Sequence, residues 1–203
     1  MIKNTIFEKI KIKDTEFSNR IVVSPMCQYS AENGLMNNWH FQHLSQFGFS
    51  GAGLVMIEST AVEDIGRITH NCTGIYNYDC LTSIRTVLEK VKVLSLNKVK
   101  FGIQLGHAGR KASTQRPWEG RSYLRDIQNP WKTIAPSAIP FDEGWPIPQE
   151  MNDDDLNRVK TAFIDATKRS VKAGFDLIEI HAAHGYLFHQ FISPISNQRK
   201  DKY

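Results

Sequence analysis

Cysteine is scarce in this chain: Cys27, Cys72 and Cys80 form an odd set with no CxxC spacing. That excludes a secreted disulfide framework and favours a reducing, cytoplasmic compartment. Blocks of basic charge are missing too. The formal charge of +4 comes from scattered Lys and Arg, and the tail pair Arg199 and Lys200 is as long as any run, so a nucleic-acid partner is not expected. No apolar stretch is long enough for a membrane span. Residues 1–13 alternate Ile and Phe with Lys and Glu, unlike a targeting or transmembrane segment, and no membrane partner is expected. What remains is 203 residues, 41% hydrophobic and 23% charged, enough for one substantial core, read as a single domain over 1–203.

From Ile21 onward, short β-branched runs alternate with longer amphipathic stretches, the pattern of βα units on a parallel sheet. Four strands are expected, at 21–24, 53–58, 99–105 and 175–180, the last apolar apart from Asp176 and Glu179 and so enclosed. A preceding hairpin, 6–12 with Phe17, is expected to plug one end. Asp79 is the expected cap of a helix whose apolar positions are Leu81, Ile84, Leu88, Val91 and Leu94. A second helix opens on Asp153, Asp154 and Asp155, repeats through Leu156, Val159, Phe163 and Ala166, and stops near Gly174. Residues 107–152 break the rhythm: they hold six of the 8 prolines and three of the 4 tryptophans, and read as a long lid or binding loop.

The densest chemistry follows the fourth strand, where His181, Ala182, Ala183, His184, Gly185 and Tyr186 deliver two imidazoles and a phenol in one turn. Other strand ends add Ser24, Pro25, Met26 and Cys27, then Glu58, Ser59 and Thr60, then Gln104. Parallel strands end on one face, so these groups share a rim where such folds bind ligands. Taken singly, Ser24 and Gln104 read equally as satisfied buried polar groups and Cys27 as inert core. A metal is the rival use of the histidines, with His189 nearby and His40 and His43 repeating the spacing. However, no Asp, Glu or Cys stands at HExxH-like positions, and Glu179 faces away from its strand neighbours. Gly48, Gly51 and Gly53 precede a strand, whereas a dinucleotide loop follows one, so they read as a helix stop packed on the next strand.

Four motifs in order, Ser24-Pro25-Met26-Cys27, the run from Ile103 to Arg110, Ala135-Pro136-Ser137-Ala138, and His181 through Asn197, closely resemble the old yellow enzyme family of flavin-dependent ene-reductases. Cys27 and the His181/His184 pair resemble its bacterial branch, often called NADPH dehydrogenases or xenobiotic reductases. The resemblance implies a TIM (β/α)8 barrel with FMN at the strand ends, NADPH as reductant, a small-molecule alkene activated by a carbonyl or nitro group as substrate, and a homo-oligomer when full length. Ser24, Pro25, Met26 and Cys27 would line the flavin, with Ser59, commonly Ala in this branch, and Gln104 beside them. His181 and His184 would bind the substrate oxygen, Tyr29 would close the substrate side, and Tyr186 would donate the proton. The chemistry suits such groups: hydride arriving at the β-carbon of an enone drives charge onto the oxygen, where each preset N–H donor is worth about 3 kcal/mol.

A complete barrel needs eight strands in roughly 250 residues, and only about four units are visible here. The family pattern continues past Tyr203 into a Gly-Gly segment and a flavin-contacting arginine, so the chain reads as an N-terminal half that is inactive alone. Two other readings stay open: a noncatalytic half-barrel assembly unit, and a metal-dependent hydrolase.

Overall fold

A computed structural model describes residues 5–96 and 98–203. Strands Ile10–Ile12 (β1) and Thr15–Phe17 (β2) form the expected hairpin. Val22–Val23 (β3) begins the main sheet and leads to helix Asn38–Gly48 (α1); Leu54–Ala61 (β4) leads to helix Tyr78–Leu94 (α2). Lys100–Gly106 (β5) is followed by the long excursion that contains Ile134–Ala135 (β6) and Gln149–Glu150 (β7), then by helix Asp153–Ala173 (α3). Leu177–Ile180 (β8) and the short helix Leu187–Ile192 (α4) complete the order. Strands β3, β4, β5 and β8 lie parallel in that spatial order, four consecutive βα units.

The two sheet faces have different cores. Val55, Ile57, Phe101, Ile103 and Leu105 point at the helices and meet Leu81, Ile84, Leu88, Val91, Val159, Phe163 and Ala166, all buried. On the other face Leu54 and Met56 pack with Phe17, Ile10 and Leu177, so the hairpin closes the end where the strands begin. Gly102 permits this packing, since a Cβ there would lie 2.3 Å from the Met56 sulfur.

Several boundaries moved for identifiable reasons. Strand β4 runs past Glu58 to Ala61 because its pairing slips between Ile57 and Ser59, which turns Glu58 out of the ladder. Strand β8 starts at Leu177 because Asp176 accepts from Phe101 N and Lys100 Nζ, both at 3.0 Å, instead of joining as a strand residue. It is not enclosed as expected: it is the outer strand, with Glu179 and Ile180 exposed. Asn77, and not Asp79, caps α2, accepting from Cys80 N at 2.8 Å, while Asp79 sits in the first turn. Helix α3 is capped by Asn152 and ends at Gly174, whose φ of 94° lies in the left-handed region. Gly53 fits the packing reading, because a Cβ there would stand 2.4 Å from Asn19 O. The 107–152 excursion is more ordered than a plain loop: β6 and β7 pair, Thr114 bridges Tyr123, and Leu124, Thr133 and Ile134 are buried.

Candidate active site

The turn after β8 is tight because two successive residues, His184 at φ 56° and Gly185 at φ 74°, take left-handed backbone, a rare conformation for histidine. The turn folds the three rings together: His181 and His184 centroids are 5.1 Å apart, His181 and Tyr186 4.8 Å, each edge to face. Ala183 N donates to His181 Nδ1 at 3.3 Å, which leaves the proton of the neutral ring on Nε2. That Nε2 faces His184 Nδ1 at 3.4 Å, so two nitrogens converge on one spot. Burial, then the neighbouring His184, pushes the His181 pKa below 6.5, keeping the ring neutral and its Nε2–H a donor. Burial pushes the Tyr186 phenol well above 10, so its proton stays on.

Lys111 was not singled out from the sequence, yet it fixes this turn. Its Nζ donates to His184 O at 2.7 Å and lies 4.9 Å from the Tyr186 ring centroid. The signal was available in the basic pair Arg110 and Lys111 just beyond β5.

The other predicted residues divide into two groups. Beyond β3, Ser24 and Met26 are exposed, and Pro25, Cys27 and Tyr29 are half-buried. Tyr29 is the second site residue with left-handed backbone, at φ 50°, and its ring meets Trp118 edge to face at 5.8 Å. Burial raises the Cys27 thiol, which is therefore a neutral, soft group and not a thiolate. Across the sheet, register places Ser59 beside Gln104 and Gln104 beside Glu179, a polar row ending on the open side where Gln104 Nε2 donates to Glu179 Oε1 at 2.5 Å. Gly106 keeps this row clear, since a Cβ there would come 2.6 Å from Ser59 Oγ.

Glu58 does not join the rim. It is buried, pairs with His40 Nε2 at 3.3 Å, and accepts from Gln28 N at 3.0 Å, so it anchors the segment carrying Cys27 and Tyr29. Thr60 is likewise buried, bonded to Glu58 O. His189 accepts from Gly185 N at 2.8 Å and His40 from Asn37 N at 3.1 Å, so neither converges with the His181 pair. Among the described residues no group of three His, Cys, Asp or Glu side chains could hold a metal ion.

Residues 5–203 match the NADH:flavin oxidoreductase / NADH oxidase family, whose flavin is FMN. The chain belongs to this family. As a member of it, the chain is 42% identical over 98% of its length to an NADH:flavin oxidoreductase of Gibberella zeae, covering 48% of that protein. It is 43% identical over 98% of its length to an NADPH dehydrogenase of Listeria innocua, covering 54% of it. Among solved structures, an old yellow enzyme from a Pichia species matches at TM-score 0.83 and 26% identity, over 98% of this chain and 51% of that one. A morphinone reductase matches in fold at TM-score 0.82 and 22% identity, over 98% and 53%. The chain thus spans about half the length of the relatives it matches, and its sheet corresponds to part of a TIM barrel.

Proposed function

We propose that the chain carries the substrate-side machinery of an FMN-dependent NADPH oxidoreductase that reduces carbonyl- or nitro-activated alkenes. The observation that carries this reading is the convergence of His181 Nε2 and His184 Nδ1 at 3.4 Å beside the buried Tyr186 phenol.

The residues present fit a flavin ring. Its flat face needs apolar contact and its polar edge needs in-plane partners; Pro25, Met26 and the neutral Cys27 offer the first, Ser59 and Gln104 the second, and Gly106 leaves the approach open. When bound, FMN supplies the hydride. The protein's own part is to hold the substrate oxygen between two N–H donors, His181 through Nε2 and His184 through Nδ1 after a tautomer change. Tyr186 then gives its proton to the α-carbon, and the Lys111 ammonium 4.9 Å from its ring stabilises the resulting phenolate. Hydride at one carbon and proton at the other complete the reduction.

Ring contacts are abundant here, whereas a phosphate seat is not evident among the described residues of the sheet. FMN and riboflavin are therefore expected to bind the chain with dissociation constants within about threefold of each other, and Gln104→Ala to weaken both. Titration by flavin fluorescence checks this; a tenfold or greater preference for FMN, or no effect of Gln104→Ala, contradicts it.

A further inference from the structure

The 107–152 excursion encloses a cavity of ≈ 710 Å³ that none of the assigned site residues lines. That volume suits a ligand of drug or nucleotide-fragment size. Its lining combines flat rings, Tyr123, Trp131 and Trp145, with three cations, Arg110, Arg125 and Lys132, against one acid, Asp126. The cations are incompletely used. Arg110 spends Nη1 on the carbonyls of Ile139 and Pro140, but its buried Nε has no partner among the described residues. Arg125 donates to the Tyr123 hydroxyl and lies 4.4 Å over that ring but meets no carboxylate among the described residues, and neither does the exposed Lys132. A buried donor without an acceptor is costly, and an anion would satisfy it.

The cavity is also close to the candidate active site. Trp145 packs on Phe141 at 4.9 Å, Phe141 lies 4.8 Å under Lys111 Nζ, and Lys111 holds the His184 carbonyl. We propose that this cavity seats the phosphorylated adenosine end of the NADPH reductant, its base against Trp145 and Tyr123 and its phosphate between Arg110, Arg125 and Lys132. The proposal rests on the functional reading above and adds to it where the distal half of the reductant binds. Base stacking on aromatic rings and charge-assisted bonds to phosphate are the recognition forces for such a group.

Adenosine 2′,5′-bisphosphate titrated into the purified chain, read by quenching of tryptophan fluorescence, tests it. The bisphosphate is expected to bind at least about tenfold more tightly than adenosine, the preference to vanish in Arg125→Ala with Lys132→Ala, and most of the quench to disappear in Trp145→Phe. Arg125 and Lys132 are exposed, so the double variant keeps its fold, which far-ultraviolet circular dichroism checks. Equal affinity for adenosine and the bisphosphate, no saturable quench, or an unchanged preference in the double variant overturns the proposal. Phenol binding at His181 and His184, measured on the same samples, reports separately on the functional reading.

Discussion

At the residue scale, burial keeps the grouped side chains of the candidate site neutral. His181 is the clearest case: its folded pKa lies below 6.5, so between the folded and unfolded values the unfolded chain binds more protons. Its contribution to stability is then complete above about pH 6.5 and falls away as the pH drops toward the folded value. His181→Gln is expected to flatten the loss of stability between neutral pH and about pH 5, measured by urea unfolding; an unchanged pH slope contradicts the assignment. The buried Glu58 and His40 pair acts on stability in another way. His40→Ala leaves a carboxylate at 4% exposure without the Nε2–H that faces it, at a cost of roughly 1–3 kcal/mol in denaturant unfolding, and a cost below about 0.5 kcal/mol would show that the pair is not needed. The grouping of His181, His184 and Tyr186 was legible because three titratable side chains crowd one turn. Glu58 was misplaced on the rim because a one-residue slip in strand pairing cannot be read from alternation. Lys111 was missed because its role depends on a contact 73 positions away.

At the element scale, strand and helix types follow from hydrophobic spacing, while their ends follow from single polar side chains. Asn77 displaced Asp79 as the α2 cap because Asn77 takes the extended backbone from which a side chain can reach the third amide, and Asp79 is already helical. Helix α1 was read only by its stop at Gly48, because His40, Leu44 and Gly48 are its buried residues, a stripe too thin to register as amphipathic. Asn152 closes a capping box with Asp155, and Asp155 in turn pairs with Arg158. Asn152→Ala is expected to cost about 1 kcal/mol in thermal or urea unfolding, and no measurable change would remove the cap from the account.

At the scale of the whole molecule, the parallel βα architecture was readable because each strand end precedes a helix-length stretch, and the hairpin plug was readable from Phe17. The small β6/β7 sheet and the cavity beside it were not, since proline-rich sequence carries no period and its order comes from long-range contacts such as Trp131 Nε1 to Ile65 O at 2.9 Å. Strands β3 and β8 each leave one side unpaired within the described sheet, and Val22, Met26, Ile180 and Ile192 are exposed near them. Such edges and apolar patches favour association, so the chain is expected to self-associate in sedimentation velocity at micromolar concentration, and a clean monomer would count against this. The central claim is that His181 and His184 together hold a substrate oxygen over the flavin side of the sheet. The most direct measurement is calorimetric titration of a para-substituted phenol into the FMN-supplemented chain and into the His181→Ala, His184→Ala double variant. Loss of two donors predicts an affinity at least about 100-fold weaker; equal affinity in the two proteins would contradict the claim.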